Sequence, residues 1–175
     1  GHVEAGLRSF DREMPEETNR VLTDHVGDYL FAPTETSADY LRDEGIDDKR
    51  IHVTGNTVVD AVGRHRELAA EKSSVLDDLG VAVGEFALLT AHRAENVDER
   101  DRFAELLTGV ARAASSLDLD VVYPIHPRAE KRVAEFNLRF PQRVRIIEPL
   151  DYLDFLKLQA NATLVLTDSG GIQEE

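Results

Sequence analysis

At 175 residues with a 42% hydrophobic content, the chain is long enough for one globular domain or two small lobes. No run approaches the roughly 20 apolar residues that span a bilayer, and the absence of cysteine excludes disulfides, thiolate nucleophiles and sulfur-ligated metals. Acids outnumber bases 34 to 20, a net charge of −14, which repels nucleic acid and anionic membranes.

Only four of the bases are lysine, and an acid-rich, lysine-poor surface predicts adaptation to high salt, where screening removes self-repulsion. No signal-peptide pattern opens the sequence, which predicts a cytoplasmic protein.

The predicted elements alternate along the chain. A helical pattern over Glu16–His25 precedes a strand over Asp28–Ala32. Thr34–Glu44 reads as a helix with Thr34 as N-cap and Gly45 as its stop. Arg50–Thr54 is a short strand closed by Gly55-Asn56. A long helix then runs from Thr57 to about Lys72, with Val58, Val59, Ala61, Val62 and Leu68 on its apolar side.

A second series follows, with strands at Phe86–Thr90, Asp120–Ile125, Arg143–Ile147 and Leu164–Thr167. Helices are predicted between them at Asp98–Ser115, Pro127–Arg139 and Tyr152–Asn161. Strands alternating with helices imply right-handed crossovers and parallel sheets, an α/β fold. The break near residue 56 and the acidic, serine-containing stretch Ser73–Gly84 predict a boundary between two lobes. Ligands of such sheets bind outside the C-terminal strand ends.

Several stretches carry candidate chemistry, each beside a plain structural reading. In "GHVEAGLRS", Gly1–Ser9, His2 and Glu4 form an H-x-E pair, also found in zinc deaminases, whose cysteine ligands are absent here. On a strand this spacing puts both side chains on one face; the alternative is a solvent-facing pair at a strand end. "MPEETNR", Met14–Arg20, opens a helix with two glutamates that complement its dipole.

"LLTAHRAEN", Leu88–Asn96, delivers His92 and Arg93 to a strand's C-terminal end, and "YPIHPR", Tyr123–Arg128, repeats the design with His126 and Arg128. An imidazole exchanges protons near neutral pH, and a guanidinium suits phosphate. "TDSGGIQEE", Thr167–Glu175, is a strand, a glycine turn and a helix start, a cradle for phosphate. A helix that barely begins predicts an internal piece of a longer protein. His25, His52 and His65 lie inside helical or strand patterns and read as structural.

In this order, "GHVEAGLRS", "PEETNR", "APTETS", "VTGNTVVDA", "TAHRAEN", "YPIHP" and "LTDSGGIQEE" resemble the non-hydrolysing UDP-N-acetylglucosamine 2-epimerases across essentially the whole chain. The resemblance implies a GT-B-like fold of two Rossmann-like lobes, here partly present. Residues 1–56 would be the end of the first lobe, and residues 57–175 a linker helix and most of the second, nucleotide-binding lobe.

It also implies interconversion of UDP-N-acetylglucosamine and UDP-N-acetylmannosamine through elimination of UDP to a 2-acetamidoglucal and re-addition. No metal and no cofactor take part. The full-length enzyme would be a homodimer whose product serves surface polysaccharide or protein glycosylation.

By the matching motifs, Glu4 and Glu16 would be the acid/base carboxylates, assisted by His92. Arg93 and His126 would line the nucleotide-sugar site. Ser169, Gly170 and Gly171 would hold the diphosphate, Glu175 the ribose and Phe155 the neighbourhood of the uracil. The family's basic phosphate loop and "HGDT"-type turn do not occur in the 175 residues, so this stretch alone is expected not to turn over. A nucleotide-binding piece without activity, a hydrolysing relative and a glycosyltransferase of similar architecture are the competing readings.

Overall fold

The computed structural model describes residues 1–175, which divide into two units, Gly1–Asp60 and Ala61–Glu175. The division falls inside a helix; the sequence expectation sets it after residue 56.

The first unit is a three-stranded parallel sheet, β1 (His2–Val3), β2 (Leu30–Ala32) and β3 (Ile51–Val53), in the order β1-β2-β3. Helix α1 (Pro15–Val26) links β1 to β2, and α2 (Glu35–Asp43) with a 3-10 turn at Asp48–Arg50 links β2 to β3. Thr34 caps α2 as expected, its hydroxyl accepting from the Ser37 amide at 3.1 Å. Gly45, at φ 83°, ends it. The core is small: Ala5, Leu30, Ala32, Ala38, Leu41, Ile46 and Ile51. Arg50 closes the C-terminal end of α1 by donating to the carbonyls of Asp24, His25 and Gly27.

Helix α3 (Thr57–Lys72) runs across the division. The second unit then contains α4 (Val75–Leu79), β4 (Phe86–Thr90), α5 (Ala94–Val97), α6 (Arg100–Leu117), β5 (Asp120–Pro124) and α7 (Pro127–Phe136). It continues with β6 (Val144–Ile147), α8 (Tyr152–Asn161), β7 (Leu164–Thr167) and α9 (Gly170–Glu174). Its sheet is parallel, in the order β6-β5-β4-β7.

The two-residue period of a strand sorts the side chains into two cores. Ala87, Leu89, Val121, Tyr123, Leu164 and Leu166 face α6, whose Phe103, Leu107, Val110 and Ala114 cover them. Phe86, Leu88, Val122 and Val165 face the other way, against Val75, Phe155 and Leu158. With both faces covered, β4 is apolar from Phe86 to Leu89, which is why it is legible as a buried strand.

Some expectations are corrected. Asp28 and Tyr29 precede β2 as a bend, and α7 stops at Phe136 because Asn137 adopts the left-handed conformation, φ 52°. The stretch 73–84 holds the short helix α4, ended by Gly80 at φ 62°. No helix is long and apolar enough to cross a membrane.

Candidate active site

In the second unit the chain runs outward from β4 through β5 to β6, then returns to lay β7 on the other side of β4. The order therefore reverses between β4 and β7, and the crevice outside their C-terminal ends is where open α/β sheets take ligands. Thr90 and Thr167 are register partners at that end, with hydroxyls 2.7 Å apart. His92 and Arg93 follow β4, His126 follows β5, and Ser169 follows β7. Four of the expected residues thus share one sheet edge.

Asp168 ties the edge together. Its carboxylate accepts from the backbone amides of His92 and Arg93, both at 3.0 Å, and from Asn96 Nδ2 at 3.1 Å. His92 Nδ1 lies 3.1 Å from Asp168 Oδ1. Burial pushes this carboxyl's pKa up, but donation from Arg93, Asn96 and His92, together with the nearby imidazole, outweighs burial and holds it below the usual aspartate value. The sequence pattern gives Asp168 no role beyond its place in the turn after the last strand. An acid immediately after an apolar strand, opposite a His-Arg pair on its neighbour, is the signal for it.

Below this carboxylate, fully buried Tyr123 donates to the Ala91 carbonyl at 2.7 Å. Burial, with a smaller contribution from the Asp168 charge, raises the phenol well above its usual range, so it stays a neutral donor.

The His126 side chain caps α7, its Nδ1 accepting from the Arg128 amide at 3.1 Å. The His92 and His126 rings lie 5.7 Å apart between centroids. Arg128, offered by its motif as a possible site residue, is instead engaged with Asp98 at 2.8 and 3.1 Å. Arg132 shares Asp98 at 3.0 Å, so this acid fastens α7 to the α5–α6 junction.

On β7's side, Ser169 caps α9, its hydroxyl accepting from the Ile172 amide at 3.5 Å. A Cβ at Gly170 would meet no atom of the chain within 4 Å, and one at Gly171 only Ser169 Oγ at 3.8 Å. Neither has a positive φ. Neither backbone conformation nor packing within residues 1–175 therefore calls for glycine at these positions. Glu175 ends α9 and is exposed. Phe155 lies half-buried on α8 against the Val75–Phe86–Leu88 core, on a face of the sheet rather than at its edge.

The first unit carries the two candidate carboxylates. Glu4 is not on β1, which ends at Val3; its φ of 64° is left-handed, so strand alternation does not put it on the face of His2. The conformation is enforced by neighbours. Ala5 is fully buried, and Gly6, at φ 79°, lies so close to α2 that a Cβ there would sit 2.1 Å from the Ser37 carbonyl oxygen.

Asp24, also fully buried, accepts from the Gly6 amide at 3.2 Å, Arg8 Nη1 at 2.8 Å and His2 Nδ1 at 2.6 Å. Arg8 completes the network with a bidentate pair to Glu44 at 2.6 and 2.8 Å, which together with Asp24 raises its already high pKa further. His2 is thus a structural partner of a buried acid, and Glu4 stands exposed on a fixed loop.

Glu16 and Glu17 sit side by side in the first turn of α1 but point differently. Glu16 is exposed. Glu17 is buried and accepts from Ser9 N at 2.9 Å, Ser9 Oγ at 3.0 Å and Phe10 N at 3.0 Å. Of the histidines read as structural, His25 and His65 bond backbone carbonyls one turn back. His52 stacks on Tyr29. No group of three or more His, Asp or Glu side chains is placed to hold a metal ion.

The whole chain, residues 1–175, matches the family model described as UDP-N-acetylglucosamine 2-epimerase. The chain belongs to that family. A UDP-N-acetylglucosamine 2-epimerase of Methanocaldococcus jannaschii is 49% identical over 180 residues, covering 99% of this chain and 49% of the relative. One of Salmonella typhimurium is 42% identical over 186 residues.

The M. jannaschii epimerase solved with UDP-GlcNAc and UDP superposes with a TM-score of 0.90, over 99% of this chain and 49% of that one. A Neisseria meningitidis epimerase bound to UDP-GlcNAc gives 0.87 at 34% identity. The chain therefore spans about half the length of the relatives it matches, and its fold is that of these epimerases, the GT-B class of two Rossmann-like lobes, each partly present.

Proposed function

We propose that the protein carrying this chain interconverts UDP-N-acetylglucosamine and UDP-N-acetylmannosamine. The observation that carries the reading is the gathering of His92, Arg93, His126 and Ser169 at the β4–β7 crevice of a family member. The neighbouring Gly170 and Gly171 leave open space where a Cβ would stand, which suits close approach of a diphosphate to the backbone.

In this reading Ser169, Gly170 and Gly171 hold the diphosphate, and Arg93 and His126 face the nucleotide-sugar. Glu175 takes the ribose, with Phe155 towards the uracil. Carbon 2 of the sugar has no adjacent carbonyl to acidify its proton, so direct abstraction is difficult. Removing that proton while the bond from carbon 1 to UDP breaks gives a 2-acetamidoglucal and UDP. Returning a proton to the opposite face of carbon 2 as UDP re-adds at carbon 1 gives the epimer. Glu4 and Glu16 are the acid/base carboxylates, and His92 assists the departing UDP. The active protein is a homodimer that needs the remainder of its length.

The full-length protein should place deuterium at carbon 2 of the product in D₂O, read by NMR or mass spectrometry. Unlabelled product would exclude the elimination route. A second reading keeps the chemistry and changes the sugar. A Pseudomonas aeruginosa relative, 39% identical over 179 residues, is a UDP-2,3-diacetamido-2,3-dideoxy-D-glucuronate 2-epimerase. Competition between the two nucleotide-sugars for the same protein separates these readings.

A further inference from the structure

His92 and His126 stand at one sheet edge, yet their Nδ1 atoms meet partners of opposite character. His126 Nδ1 accepts from the Arg128 amide at 3.1 Å. A backbone N–H can only donate, so this nitrogen holds a lone pair, and the neutral ring carries its proton on Nε2. His92 Nδ1 lies 3.1 Å from Asp168 Oδ1. A lone pair facing that negative charge would be repelled and an N–H attracted, so in the neutral ring the carboxylate favours the proton on Nδ1 and leaves the lone pair on Nε2. Asp168 is held in place: the Arg93 amide and Asn96 Nδ2 donate to its other oxygen, Oδ2, and the His92 amide is shared between Oδ2 at 3.0 Å and Oδ1 at 3.3 Å.

We propose that the two histidines are fixed in opposite tautomers, with Asp168 the positioning residue that sets His92. The proposal rests on reading this edge as the diphosphate site. Facing a phosphate oxygen, His126 donates from Nε2 whether neutral or charged. His92 presents a lone pair when neutral and donates only once protonated.

Other charged groups near this edge pair among themselves: Arg93 faces Glu95 of α5 at 3.6 Å and Asp98 is shared by Arg128 and Arg132, while Tyr123 donates to Ala91.

The test uses the full-length protein labelled with ¹⁵N-histidine. Two-bond ¹H–¹⁵N spectra identify the tautomer, and His92→Gln and His126→Gln assign the signals. His92 should show the Nδ1–H pattern and His126 the Nε2–H pattern. In Asp168→Asn the amide oxygen is the atom able to keep the donors at the Oδ2 position. That choice turns the NH₂ group towards His92 Nδ1 and should invert His92 to Nε2–H.

A wild-type His92 in the Nε2–H form would overturn the proposal without any variant, and so would an unchanged tautomer in folded Asp168→Asn. Failure of UDP to bind the wild type would instead sink the reading of the edge as a diphosphate site, leaving the tautomers to stand on the spectra.

Discussion

Two adjacent glutamates in the first turn of α1 have opposite fates. Glu17, 5% exposed, accepts from residues seven and eight positions earlier in the chain, while Glu16 is exposed. Glu17→Gln keeps one acceptor oxygen where two oxygens now serve three donors, so it should cost about 1–3 kcal/mol in a denaturation experiment. Glu16→Gln should stay within about 0.5 kcal/mol of wild type, while turnover of the full-length protein falls about 100-fold or more.

The acid limb of stability follows from the same contacts. Burial alone would raise the Glu17 pKa, but the bonds from Ser9 and Phe10, aided by Arg20, hold it below its ordinary value of 4.5. A depressed carboxyl stabilises the fold fully above its unfolded pKa, and that stability is lost as pH falls through the folded value. Acid unfolding should therefore begin below pH 4.5 and lose this component in Glu17→Gln. The helix-start pattern does not separate these two residues. The choice of Glu16 comes from the family resemblance, and the inward turn of Glu17 depends on a loop whose path no local pattern records.

At the scale of elements, two glycines with nearly the same φ make a controlled comparison. Gly6 and Gly55 have φ of 79° and 81°, but only Gly6 is pressed against another element, the Ser37 carbonyl of α2. Gly55→Ala should cost about 1–2 kcal/mol, the left-handed penalty alone. Gly6→Ala adds overpacking against a carbonyl oxygen and should cost about 2–5 kcal/mol, read from the shift in denaturant midpoint.

The contrast also bears on what sequence can reveal. Helix α3 occupies Thr57–Lys72 as its pattern indicates, and the buried strands β4 and β5 and the half-buried β7 are legible from apolar runs. Helices α4 and α5, of five and four residues, are too short for periodicity to register. The early end of β1 at Val3 is set by tertiary contacts of Ala5, Gly6 and Asp24, not by the residues of the strand itself. Asp168 escaped for the same reason: its partners are 72 to 76 positions away.

For the molecule as a whole, the net charge of −14 opposes compaction. Placing like charges on a folded particle rather than an expanded chain costs on the order of a few kcal/mol at about 0.1 M salt, where the screening length is about 10 Å. At about 1 M the length drops to about 3 Å and most of that cost disappears.

Salt also weakens the surface pairs, such as Arg100–Asp101 and Lys131–Glu135, but exposed pairs contribute only about 0–1 kcal/mol each. The Arg8–Asp24 pair, with both side chains almost wholly buried, is screened far less. Relief of self-repulsion should therefore win. The melting temperature of residues 1–175, followed by circular dichroism in KCl, should rise between about 0.1 and 1 M. A control settles the cause: replacing exposed acids such as Asp43, Asp77 and Glu105 with Asn or Gln should raise the low-salt melting temperature and shrink the salt response. A flat or falling melting curve in the unsubstituted chain would show that ion pairs outweigh net repulsion, and that the acidic surface does not make this fold salt-dependent.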